Sequence, residues 1–261
     1  MKAMHTAATG MDAQVTRIDT VANNLANANT TGFKESQVDF ADLMYETMRQ
    51  PGGARTQNTQ MPTGLEIGSG VKPVSTLKIF TQGSVKKTGG DLDMAIAGSG
   101  FFQVEGPDGQ LYYTRDGNFR VNADGMVVNS RGYRLSPSIS IPDNAIGVEV
   151  GSDGTVTAVG AGDRNQSQVG TIQLANFVNP GGLASEGGNM YAETEASGTP
   201  EVGTPGRNGL GEIKQGYIEE SNVDVVNELV ELIGAQRSYE LNSKVVRAGD
   251  RVLQATNQLA R

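Results

Sequence analysis

Cysteine is absent from this 261-residue chain, and histidine occurs once, at His5. The first absence excludes disulfides, thiolate chemistry and cysteine-ligated zinc; the second excludes a multi-histidine metal site and leaves the body of the chain without an imidazole for a relay. His5 lies on the first expected helix, where a packing or surface position accounts for it. No stretch reaches about eighteen uncharged apolar residues, so no segment is expected to span a bilayer as a helix. The N-terminus MKAMHTAATGMDAQ has one lysine and no continuous apolar run, so it does not read as a Sec-type signal peptide. Basic residues are also in the minority: 21 Lys and Arg against 29 Asp and Glu give a net charge of -8 and a pI near 4.8. Nucleic acid and anionic membrane both select clustered Lys and Arg, so the expected partner is protein.

What is present is distributed unevenly. All nine prolines lie between Pro51 and Pro205, and only Gly10, Gly234 and Gly249 of the 35 glycines fall outside 32–216. Helix interiors tolerate these two residues least, so the partition predicts helical ends around a middle of strands and turns. With 37% hydrophobic residues, the chain has a lean core for its length.

The first arm carries a regular register. Met4, Ala8, Met11, Val15, Ile18, Ala22, Leu25 and Asn29 alternate steps of four and three, a heptad a/d series that predicts a helix from about Lys2 to Ala28 with a partner helix along the seam. The second arm is predicted to start at Ser221, read with Asp224 as an N-cap signal, and to run towards Arg261. Leu241, Val245, Ala248, Val252, Ala255 and Leu259 repeat the same spacing. A second stripe, from Val225, Leu229 and Leu232 to Leu253 and Asn257, is interrupted by polar residues, so this helix is expected to meet two different neighbours. Two readings follow. The arms form a helical hairpin docked on the body, or several copies associate laterally and cover both apolar stripes.

At the end of the first arm, ANNLANANTTGFK places Asn23, Asn24, Asn27 and Asn29 close together. A buried amide needs several hydrogen-bond partners, so these side chains are read as setting register and neighbour rather than adding stability. Gly32 supplies a positive φ to end the helix, and Phe33 anchors the chain where it turns away. The alternative is a frayed polar helix end.

The body reads as β. Asp108-Gly109, Asp116-Gly117 and Asp124-Gly125 recur every eight residues between short apolar runs, predicting three hairpin-linked strands, and Asp153-Gly154 repeats the device. The same acidic-glycine pairs would suit calcium, but no D-x-D-x-D-G series with a closing Glu accompanies them. Neither metal nor cofactor is expected. Residues 47–70 have no sustained period and read as a linker, or as an extended loop that orders against something through Met61, Leu65 and Ile67.

ATGMDAQ at 8–14, ANNLANANTTGFK at 22–34 and SNVDVVNELVELIGAQRSYELNSKVV at 221–246 resemble the paired terminal signatures of flagellar basal-body rod and hook proteins; AIAGSGFFQV and YTRDGNFRVNADG are similar to the β-domain motifs of the longer members. The resemblance covers nearly the whole chain. It implies an α+β fold: paired terminal helices as a coiled-coil-like inner assembly domain (1–29 and 219–261), an extended connector (30–70 and 205–218) and a central all-β domain (71–204). Length and the insert QPGG…PTGLEIGSGV resemble a distal rod subunit; a second-type proximal rod subunit or a hook-like axial protein is the competing member. The implied role is structural: copies stack helically into a straight hollow rod across the periplasm, carrying torque and enclosing an export channel. Implied partners are other copies, proximal rod and hook subunits, the P-ring and L-ring proteins and the flagellar export apparatus, with no nucleic acid and no membrane insertion. Pro51, Gly52, Gly53, Pro62 and Gly64 mark the insert expected to stiffen the rod. A β-rich adhesin would leave both heptad arms without a purpose, and a carboxylate glycosidase would need a cleft with two facing acids.

Overall fold

The computed structural model describes residues 2–49, 54–56, 59–60, 64–160 and 166–259. The chain divides into two compact units, one formed by Met1–Leu25, Ser36–Leu77 and Val225–Arg261, the other by Ala26–Glu35 and Lys78–Asp224. The class is α+β, with two helices at the ends and strands between them. The stretch 30–70 is divided between the units, and 205–218 belongs to the second.

Unit 1 contains helix α1 (Lys2–Ala26), helix α2 (Val225–Leu259) and a two-stranded ribbon. α1 stops two residues before the predicted end because Asn27 engages the chain locally: its carbonyl accepts from the Thr30 amide and its side-chain oxygen from the Thr30 hydroxyl. α2 begins four residues after Ser221. That serine accepts instead from the Val223 amide, while the Glu220 amide donates to the Ser84 carbonyl and the Asn222 side-chain amide to the Ile79 carbonyl, so these residues are tied to the stretch 79–84 of unit 2 before the helix starts.

The two helices pair antiparallel, since partners fall in number along one as they rise along the other: Met4 lies at Gly249, Gly10 at Asn242, Arg17 at Glu231 and Asn24 at Glu228. The buried residues on α1 are Ala7, Ala13, Val21 and Asn24, and on α2 Glu228 and Ala235. A Cβ at Gly10 would come within 2.8 Å of the Asn242 amide nitrogen, so the backbones approach closely there. The contact stripe is therefore built from small residues and is rotated from the predicted seam by about one residue, or roughly 100°.

The ribbon pairs Ser36–Asp42 with Val71–Lys78, Tyr45–Arg49 with Leu65–Gly68, and Ala54–Thr56 with Thr59–Gln60. Leu43 to Gly70 and Ser69 to Met44 backbone bonds join its first two parts. Among the described residues of the stretch expected as a linker or an extended loop, most thus form hydrogen-bonded strands. The Tyr45–Arg49 and Leu65–Gly68 strands are exposed along nearly all their length and need no apolar alternation, which is why periodicity missed them. The ribbon rests on α1 through the Lys2–Glu46 ion pair and the Val71 amide donated to the Thr9 hydroxyl. An isolated two-stranded ribbon is marginal in water.

Unit 2 is built on a central sheet with the order Phe119–Val121, Val127–Asn129, Arg134–Ser136, Phe101–Glu105, Leu111–Thr114, Met190–Ala192, Ala184–Gly187. Leu174–Asn176 also pairs with Phe101–Glu105 and carries Glu201–Gly203. A separate three-stranded sheet joins Ala145–Val150, Thr155–Gly160 and Gln166–Thr171. Successive residues of a strand face opposite sides, so Phe102 enters a core with Met94, Ile96, Val104 and Leu135 while Phe101 enters another with Tyr113, Phe177 and Tyr191. Asp108-Gly109, Asp124-Gly125 and Asp153-Gly154 close hairpins, each glycine at a positive φ. Asp116-Gly117 does not. Its glycine carbonyl accepts from the Met94 amide at 2.9 Å and a Cβ there would collide with the Met94 carbonyl, so the chain crosses to another strand instead of reversing.

Burial, then the Glu193 carboxylate beside it, pushes the Tyr113 hydroxyl up to about 12, and burial raises Tyr191 as well. An unfolded tyrosine ionises near pH 10, so between about pH 10 and 12 the unfolded chain releases protons that unit 2 retains, and stability falls as pH rises. Thermal melts across this window should show the decline, and Tyr113→Phe should make it shallower; an unchanged slope in the variant would remove Tyr113 as a cause.

Candidate assembly site

The amide-rich end of α1 resolves into one buried residue and three others. Asn24 is buried, donates to the Ser36 carbonyl at 2.9 Å and to the Glu228 carboxylate at 3.0 Å, and accepts from the Ser36 amide at 2.9 Å. One side chain thereby joins α1, α2 and the first ribbon strand. Asn27 is half-buried in the turn, and Asn23 and Asn29 are exposed.

Gly32 sits at φ 68°, and a Cβ there would lie 2.5 Å from the Asp116 backbone nitrogen. Phe33 is buried beneath the Lys78 ammonium, which stands 4.4 Å from its ring centre. The next residue was not singled out by the sequence reading. Lys34 is fully buried and donates to Glu219 at 2.5 Å and to the Thr81 carbonyl at 2.7 Å. Glu219 also accepts from the Gly83 amide and from Arg115, whose guanidinium lies over the Phe101 ring. Burial pulls the Lys34 and Arg115 pKa values below their usual levels, with Glu219 opposing in both cases. Burial raises Asp116, opposed by the bonds it accepts from Asn118 and Thr31. Lys34, Arg115 and Glu219 each sit beside another charge in sequence, Glu35, Asp116 and Glu220, so none stands out locally, and no spacing links 34, 115 and 219.

Of the predicted seam residues Met4 packs on Gly249 of α2, and the others lie beside the helix-pair contact or away from it. Met4, Met11, Ile18 and Leu25 are half-buried, whereas Ala8, Val15 and Ala22 are exposed. On α2, Leu241 (61% exposed), Val245, Ala248 and Val252 all face solvent, and Leu259 ends the helix. Val226, Val230 and Ile233 add to this uncovered apolar surface. Most large apolar side chains of α2 are thus outward, while small residues and Val21 line the contact, unlike a helical hairpin built for itself. The ribbon is similar: Met44 (86% exposed), Met48, Leu65 and Ile67 are open. Gly64 is exposed; Pro51, Gly52, Gly53 and Pro62 lie outside the described residues.

Asn24→Ala should destabilise unit 1 by about 2 kcal/mol, because it removes the side-chain partner of both Ser36 backbone groups and one hydrogen bond to the Glu228 carboxylate. Asn29→Ala, on the surface, should stay within about 0.5 kcal/mol. Chemical denaturation of both variants checks the contrast, and equal costs would deny Asn24 its bridging role.

Three family models match: flagella basal body rod protein over residues 4–34, the flagellar hook protein FlgE/F/G D1 domain over 95–158, and the flagellar basal body rod FlgEFG protein C-terminal region over 214–259. The flagellar basal-body rod protein FlgG of Buchnera aphidicola subsp. Schizaphis graminum is 49% identical over 96% of both chains, and that of the Acyrthosiphon pisum subspecies is 47% identical over the same shares. The protein of that name in Caulobacter vibrioides is 44% identical over 99% of both. Terminal helices with outward apolar stripes, a β middle and end-to-end similarity agree: this chain belongs to the flagellar basal-body rod protein family.

Proposed function

We infer that this chain, a structural subunit of the flagellar basal-body rod, assembles through the outward faces of α1 and α2, where other copies cover Val15, Leu241, Val245 and Val252. The observation that supports this reading is the uncovered apolar stripe on α2. Burying such side chains is worth about 25 cal/mol per Å² of apolar area, and the chain alone leaves that stabilisation unused. In this reading the inward small-residue stripe holds the pair together while the outward stripe contacts neighbours, and Asn24 keeps the two in register. Copies then stack as the distal part of a straight hollow rod crossing the periplasm, between proximal rod and hook subunits, within the P-ring and L-ring, with export substrates passing through its centre. A second-type proximal position is the alternative.

The ribbon is assigned the stiffening role. Its exposed Met44, Met48 and Leu65 suit contact with an adjacent copy, and pairing of its strands gives it a reach that a coil lacks. A torque-carrying rod has to resist sliding of one subunit past the next.

Leu241→Asp and Val245→Asp should leave the melting temperature of the monomer unchanged, since both positions are exposed, yet abolish polymerisation by placing a charge in an apolar contact. Sedimentation and electron microscopy check this, and rods of normal length from either variant would reject the assembly face. Deleting residues 47–64 should leave polymers that curve. Straight rods after the deletion would return the ribbon to an inert surface feature.

A further inference from the structure

The buried cluster of unit 2 lies where three passes of the chain meet. Residues 31–35 follow α1 and residues 217–222 precede α2; the stretch 79–84 runs beside both. The Gly32 amide donates to the Glu219 carbonyl at 2.9 Å, and the Glu35 amide donates to the Asn222 side-chain oxygen at 2.8 Å. The same sequence offset separates both partners, so 31–35 and 217–222 run parallel. Between those two bonds Lys34 meets Glu219 in a fully buried ion pair. On the far side, Asn222 donates to the Ile79 and Thr81 carbonyls, the Ile79 amide donates to Glu35, and Tyr217–Glu219 pairs with Val85–Lys87.

We propose that this Lys34–Glu219–Asn222 cluster is a mechanical clamp loaded in shear. Tension arriving through α1 draws 31–35 towards its own N-terminus, and tension through α2 draws 217–222 towards its C-terminus. Two parallel segments drawn apart in this way slide along their shared axis. All the bonds between them share the force at once, whereas segments peeled from one end break theirs one at a time. Charge-assisted bonds in a water-excluded site are the strongest available for the purpose, because no water stands ready to replace a partner as it leaves. Gly32 contributes by allowing the backbone to lie against Arg115 and Asp116 without a side chain between them. The rod reading supplies the reason a subunit would carry such a load; the clamp itself is a property of one molecule.

Single-molecule pulling on the full chain tests it. The chain has no native cysteine, so two introduced ones define the direction of force. Handles at the exposed positions Ala3→Cys and Ala255→Cys load the clamp after the helix pair opens. Handles at the exposed positions Ile146→Cys and Val178→Cys load unit 2 elsewhere. The wild-type sequence should rupture at higher force through the first pair. Clamp failure should release the chain between residues 31 and 79, up to about 170 Å at roughly 3.5 Å per residue. Lys34→Met should lower the force through the first pair and leave the second nearly unchanged, and Asn222→Ala should act in the same direction. Equal rupture forces for the two handle pairs in the wild-type sequence, or an equal fractional loss in both directions for the variants, would overturn the clamp, and the wild-type comparison decides even if Lys34→Met fails to fold. Failure of the rod reading would appear separately, as subunits that do not polymerise.

Discussion

Three charged side chains, Lys34, Arg115 and Glu219, are withdrawn from water inside unit 2, and each carries a desolvation cost of several kcal/mol that its partners must offset. Two cations share one carboxylate, and both carboxylate oxygens are occupied, one by Lys34 and the Gly83 amide and the other by Arg115. Such an arrangement leaves little room for alternatives. If 31–35 shifted by one residue, an ammonium would be buried without a counter-ion, so the charges specify where the chain from α1 docks and where the chain to α2 departs. Gly32, Phe33 and Asn222 fit around that point. The aromatic cluster of Phe101, Tyr113, Phe177 and Tyr191 packs beside it, with Arg115 over the Phe101 ring.

Unit 1 follows a different physical logic. Its helices meet through Ala7, Gly10, Ala13, Ala235 and Gly249, which let backbones approach but bury little apolar area each. Most large apolar residues of α2 point away from the pair. The helices are therefore joined closely yet stabilised modestly by each other, and most of the hydrophobic free energy available to them is left for contacts made outside the chain. Asn24 compensates in specificity, since only one register satisfies Ser36 and Glu228 together.

The helices were legible because Met4 to Leu25 and Leu241 to Leu259 keep a heptad spacing free of proline, and periodicity reports which residues will share a face. It did not report which face meets the other helix within the chain. Small residues dominate that contact, and a count of apolar side chains passes over Gly10 and Gly249. The hairpins at Gly109, Gly125 and Gly154 were legible from local turn chemistry. Gly117 carries the same dipeptide and was misread, because its neighbour is Met94, distant in sequence, and no local signal encodes that approach. The Tyr45–Arg49 and Leu65–Gly68 strands were missed for the converse reason: strands exposed on both faces leave no pattern.

The amino-acid sequence by itself determined the α+β class, the helical ends, the absence of thiol and multi-histidine chemistry and the family, since these depend on local propensity, composition and recurring motifs. Tertiary structure alone decided which helix face turns inward, that Ser221 bonds locally to Val223 instead of starting α2, and that Lys34, Arg115 and Glu219 converge. The physical reason is the range of the interactions: propensity and turn chemistry act within a few residues, whereas close backbone approach and the pairing of buried charges join positions far apart in sequence, from Met94 and Gly117 to Lys34 and Glu219, and exist only once the chain has folded.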